Sequence, residues 1–133
     1  MSLISSMDIS ASGLHAERFR MDVIAHNIAN SSTTRTDEGL PFKRRIVTFS
    51  EELGDELAGV RVESVEKDPT SGPMVYDPGA PGANAEGYVE GSNVNPILEM
   101  VDLISASRAY EANIAAFGAA KEMVARTLEI GSA

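Results

Sequence analysis

The 133-residue chain has no cysteine and no tryptophan, only two histidines, and 3 Tyr and 4 Phe. Without thiols there is no disulfide framework, no thiolate metal site and no cysteine nucleophile. His15 and His26 stand about three helical turns apart, too far to share a metal ion. Basic side chains are scarce: 11 Lys and Arg against 20 Asp and Glu give a formal net charge of −9. That argues against the basic stripe of a nucleic-acid binder and the polybasic anchor of a membrane-surface protein. No run approaches the ~20 apolar residues of a membrane span. Residues 1–8 lack the cationic and apolar regions of a cleavable secretory signal. Read from composition alone, the chain is expected to be cytosolic. At 43% hydrophobic residues it is too apolar for wholesale disorder, and its length suits one domain with a small insertion.

Apolar content is carried by Ala, Val, Ile, Leu and 6 Met, residues that suit helix–helix seams. Ile4, Met7, Ala11, Leu14, Arg18, Met21, Ala25 and Ile28 follow three–four spacing and predict a helix over 1–30, ended by the polar run Asn30–Thr34. A second helix is expected over 96–130. Asn95 is its N-cap, Pro96 takes the first position and Gly131 is the stop. Its row is Met100, Leu103, Ser107, Tyr110, Ile114, Phe117, Lys121, Val124 and Leu128. Between them lies a segment with 5 of the 6 prolines and 12 of the 20 acidic residues. Phe42–Phe49 and Val60–Val65 have the β-branched content of short strands, and Pro69 to Gly82 reads as irregular. The fold expected is mainly α: N- and C-terminal helices packed as an antiparallel coiled-coil-like pair with a small β-containing insertion between them.

Each helix has a second stripe. Ser105, Ala109, Ala112, Ala116 and Ala119 are small, and Ser12, Ala16, Phe19 and Val23 form a similar row on the first helix. A two-helix hairpin needs one buried face per helix, so a second face implies further neighbours. Helix propensity alone would also account for an alanine-rich face. The helices are electrically quiet, while residues 31–95 hold 6 basic and 12 acidic side chains.

Catalytic and metal-binding patterns are thin. Glu51, Glu52, Asp55 and Glu56 cluster, but no apolar pocket is evident to raise one carboxyl's pKa, so a solvated turn is the expectation. The glycines lack a Lys-Ser/Thr ending for a phosphate loop, and no nucleophile elbow is visible. Lys43-Arg44-Arg45 is the sole basic cluster, suited to an exposed strand face or an acidic patch on a neighbour. Asn27 and Asn30 close the first helix and Asn93 and Asn95 precede the second, so in an antiparallel hairpin all four amides meet at one end, where they can fix converging backbone ends or serve as caps.

The block Met21-Asp-Val-Ile-Ala-His-Asn-Ile-Ala-Asn-Ser-Ser-Thr-Thr34, after Ser12-Gly-Leu-His-Ala-Glu-Arg18, resembles the N-terminal signature of flagellar rod, hook and hook-associated proteins. Gly87-Tyr-Val-Glu-Gly-Ser-Asn-Val-Asn95, leading into Glu99-Met-Val-Asp-Leu-Ile-Ser-Ala-Ser-Arg-Ala-Tyr-Glu-Ala-Asn113, resembles the matching C-terminal signature. The short length and Val75-Tyr-Asp-Pro-Gly79 are most like the proximal rod type. His26 stands where the family often has Asn, and Ala80 where it often has His. The likeness covers about half the chain and is weakest over 37–72.

The resemblance implies a non-enzymatic structural subunit of the flagellar basal-body rod, without cofactors, metal or nucleic acid. It implies export through the flagellar type III apparatus without a cleaved signal, which would carry a signal-less chain to the periplasmic rod. Its partners would be copies of itself and other rod proteins in a helical tube. Residues 1–36 and 90–133 would form the inner helical domain, and 37–89 the acidic insertion. Assembly contacts are expected on the first helix at Leu14, Phe19, Met21, Asn27, Ile28 and Asn30. Just before the second helix and along it they are expected at Asn93, Asn95, Met100, Leu103, Arg108, Tyr110, Ala112, Asn113, Ala116 and Phe117. Two rival readings are a cytosolic helical-hairpin adaptor or export chaperone, and a small hydrolase using the insertion carboxylates.

Overall fold

The computed structural model describes residues 3–53 and 58–132. The elements are α1 (Leu3–Ala29), β1 (Arg45–Leu53), β2 (Ala58–Lys67), β3 (Met74–Tyr76), β4 (Tyr88–Glu90) and α2 (Pro96–Gly131). The two long helices pack on one another, as expected, with hairpins β1–β2 and β3–β4 between them in sequence. At 27 and 36 residues they extend about 40 and 54 Å. Polar side chains set their ends. Asn30 and Ser31 donate side-chain hydrogen bonds to the His26 and Ile28 carbonyls at the close of α1. At the start of α2, Asn95 Oδ1 accepts from the Ile97 N–H at 3.0 Å, and Pro96 follows it without needing a partner. Ser132 caps the far end through the Glu129 carbonyl.

The described residues fall into two compact units. The first draws on Met1–Met21, Val47–Ser64 and Ile104–Ala133. Its buried apolar residues are small: Ala16, Ala106 and Ala120. Small side chains let two helix backbones approach closely, so dispersion contacts replace large buried area. Gly13 belongs to this seam, because a Cβ there would stand 2.8 Å from Asn113 Nδ2. Ser12 joins the hairpin to α1: its hydroxyl donates to the Ile9 carbonyl and accepts from the Val60 N–H at 3.1 Å.

The second unit comprises Asp22–Ile46 and Val65–Leu103, with Ile24, Phe42, Val89 and Val94 buried. The expected strands are present but longer than their sequence signals, and β1 starts at Arg45, after the Phe42 N–H is taken by the Thr33 carbonyl and the Arg44 N–H by Asn93 Oδ1. The stretch read as irregular contains β3, whose partner β4 was not expected. They pair antiparallel with Met74 opposite Glu90, Val75 opposite Val89 and Tyr76 opposite Tyr88. Three-residue strands are too short for alternation to reveal. What closes them is side-chain turn chemistry, with Asp77 Oδ1 accepting from Gly79 N–H and Asn84 Oδ1 from Glu86 and Tyr88 N–H. Gly72 lies flat against this hairpin; a Cβ there would sit 1.9 Å from the Gly91 carbonyl oxygen.

Two glycine substitutions should therefore move stability in opposite directions. Gly72→Ala must displace backbone and is expected to cost roughly 2 kcal/mol or more. Gly118, inside α2, has nothing within 4 Å of a built Cβ, so Gly118→Ala should gain about 0.5–1 kcal/mol. Denaturant unfolding of the two variants checks both signs.

Candidate functional site

The most constrained polar chemistry lies in the second unit, where the end of α1, the start of β1 and the start of α2 converge. Asn27 and Glu99 are its largest fully buried side chains, each 1% exposed. The Asn27 carboxamide pairs with the Arg45 backbone like a neighbouring strand: Oδ1 accepts from the Arg45 N–H and Nδ2 donates to its carbonyl, both at 2.9 Å. The same Nδ2 donates to Glu99 Oε2 at 3.0 Å. The other Glu99 oxygen receives Arg44 Nε, and Arg44 Nη2 reaches Asp102 Oδ2 at 3.1 Å. A buried carboxylate is tolerable because both oxygens are met, one by a charged donor. The hydrogen bond from Arg44 to Glu99, with the nearby carboxylates, raises the guanidinium's pKa further above physiological pH.

Asn93 extends the junction. Its Oδ1 accepts from the Arg44 N–H at 2.6 Å, while Nδ2 reaches the Asp68 and Thr70 carbonyls. Beside it Lys43 Nζ donates to Glu90 Oε1 at 2.9 Å and to the Thr70 carbonyl, and the Gly72 N–H also reaches Glu90 Oε1. These bonds, Lys43 first, hold the Glu90 carboxyl below the usual range; the Thr70 N–H and hydroxyl do the same for Asp68. Lys43 and Arg44 are thus satisfied within the chain, and Arg45 lies 5.9 Å over the Phe42 ring.

The helices also present apolar side chains to solvent. In the second unit α2 exposes Ile97, Leu98, Met100 and Val101; in the first it exposes Ile104, Ile114, Met123, Leu128 and Ile130. Of the residues expected at assembly contacts, Asn27 is buried within the chain. Leu14, Met21, Ile28, Asn30, Asn93, Leu103, Tyr110, Asn113 and Phe117 are half-buried. Phe19, Asn95, Met100, Arg108, Ala112 and Ala116 are exposed. Asn27 and Asn93 meet at the junction through Arg44 and Arg45, Asn30 and Asn95 cap helices, and Asn113 packs against Gly13 in the other unit.

The sequence does not single out Glu99 or Asp102, and Arg44, expected on an exposed strand face or against a neighbour's acidic patch, instead pairs with both of them within the chain. An acid in the first turn of a helix reads as a dipole partner, and nothing local reveals that α1 will cover it. His15 is exposed, and His26 stacks edge-on against Phe42 at 5.4 Å. Glu51 and Glu52 are exposed, while Asp55 and Glu56 lie outside the described residues. Among the described residues no three His, Asp or Glu side chains gather as a metal site, and no helix is long and apolar enough to cross a membrane.

Comparison with known proteins gives this arrangement its class. Residues 7–35 match the family described as Flagella basal body rod protein, and 85–130 match Flagellar basal body rod FlgEFG protein C-terminal. The chain is 42% identical over 149 aligned positions to the flagellar basal-body rod protein FlgC of Bacillus subtilis, covering 98% of this chain and 99% of that one. FlgC of Borreliella burgdorferi is 41% identical, with 98% of each chain covered. FlgC of Salmonella typhimurium is 38% identical, covering 98% of this chain and 99% of that one. The chain belongs to the flagellar basal-body rod protein family, on its FlgC branch, and is a structural rod subunit, not an enzyme.

Two measurements probe the junction. Asn27→Ala strands the Arg45 backbone and a Glu99 oxygen without partners, and should cost roughly 3 kcal/mol in denaturant unfolding. Glu90 and Asp68 have depressed pKa values in the folded chain, so their contribution is complete above the ordinary carboxylate range and is lost as pH falls from there through the lower folded-state values. The unfolding temperature should therefore drop on acidification, and less steeply in Glu90→Gln.

Proposed function

We propose that this rod subunit polymerises through its terminal helices into the shaft that transmits motor torque. Residues 1–36 and 90–133 form the inner tube wall, and 37–89 face outward or bridge to neighbours. The partners are copies of this chain and other rod proteins. The chain reaches the periplasmic rod through the flagellar type III apparatus, without a cleaved signal. The observation that carries this reading is the exposure of large apolar side chains along α2, among them Ile104 at 56% and Leu128 at 68%. Apolar surface of that kind, repeated along a helix, gains about 25 cal/mol for each Å² removed from water, which favours covering it with other molecules. Assembly then offsets the ordering of the helix ends, as in other coupled folding and association.

Ala112 and Ala116 are exposed on α2 and small enough for close backbone approach. Ala112→Glu or Ala116→Glu is expected to abolish swimming and rod completion while leaving secretion of the chain intact. Motility in soft agar and immunoblots of the culture medium read the two effects separately. Normal swimming in both variants would overturn the small-residue contact.

A further inference from the structure

We propose that a pocket at Glu17 in the first unit receives the Arg108 side chain of a second copy. The cavity, about 350 Å³, has apolar walls from Ile9, Phe49 and Val60, with Glu17 and Asn113 as its polar groups. Glu17 Oε2 is buried and has no hydrogen-bond partner. The nearest cation, Arg20 Nη1, stands 3.7 Å away, an ion pair without a hydrogen bond. A carboxylate oxygen shielded from water and left without a donor is a deficit that an incoming cation would remove. Apolar walls leading to a carboxylate fit a long aliphatic stem ending in a charged head.

Arg108 has the opposite deficit. It is exposed, and among the described residues it has no ion pair, in a chain with 20 acidic residues. Its neighbours at four residues' distance on α2 are Ile104 and Ala112, both exposed. Covering that surface with another subunit would bury a guanidinium among apolar groups, which requires a carboxylate opposite it. Arg108 is five residues from Asn113, so it projects about 140° round the helix from the pocket of its own chain. The pair is therefore formed between copies. This inference rests on assembly of the chain with copies of itself.

The chain's lack of cysteine makes the test direct. Basal bodies are purified from cells producing Glu17→Cys/Arg108→Cys and treated with a short bis-maleimide. Covalent dimers and higher multiples are expected, with only monomer from either single variant. A doubly substituted chain that enters basal bodies yet stays monomeric, or is joined only to a different rod protein, overturns the pairing alone. Absence of the unsubstituted chain from basal bodies overturns the assembly reading itself. Charge exchange gives a second readout that does not need the cysteine variant to assemble. Arg108→Glu, which removes no ion pair or side-chain hydrogen bond among the described residues, should cut swimming roughly tenfold or more, and adding Glu17→Arg should restore most of it. Normal swimming by Arg108→Glu, or no recovery on exchange, would overturn the assignment.

Discussion

Glu99 sets a carboxylate where water does not reach, and the second unit is organised around meeting that demand. One oxygen takes the Asn27 amide from the last turns of α1, the other takes Arg44 from the segment entering β1. Because Asn27 is also bound to the backbone of Arg45, three elements are fixed by one side chain. Replacing such a network by apolar groups can leave stability unchanged. What the polar version supplies is geometry: hydrogen bonds are directional, so the elements meet in one arrangement, whereas an apolar patch would accept several.

The first unit follows the opposite logic. Its buried apolar residues among those described are Ala16, Ala106 and Ala120, and Gly13 lies close against Asn113, so close approach of small residues does much of the packing there. Little large apolar surface is consumed there, so α2 keeps Ile104, Ile114 and Leu128 at the surface. A rod subunit has use for this division. Polar matching within the chain defines the fold of the second unit, and apolar side chains of α2 remain at the surface, where the proposed assembly would use them.

Sequence patterning disclosed the helices because their evidence is local: three–four spacing, Asn95 before Pro96, and the polar run after Ile28. The first hairpin was visible in outline, with its edges displaced where the Phe42 amide and the Lys43 and Arg44 side chains are drawn into other bonds. The second was hidden, since Met74–Tyr76 and Tyr88–Glu90 carry no alternation and depend on the Asp77 and Asn84 turns. The four asparagines stood out by position, yet their tasks differ in ways that only their surroundings decide. Glu99 could not be recognised at all. Its burial is imposed by α1, a segment some seventy residues away, and its local sequence is that of an ordinary first-turn acid.

The alanine seam also shapes how this lineage can change. A core of leucines and phenylalanines drifts in both directions, trading one bulky residue for another while its neighbours readjust. Ala16, Ala106 and Ala120 have less freedom: all three are buried, so a larger residue has to displace what surrounds it, and glycine, the sole smaller choice, weakens helix formation itself. By this packing argument a larger residue is harder to place at these alanines than in the hairpins or on the outward faces, so this chain has more room for substitution there than at its closest helix contacts.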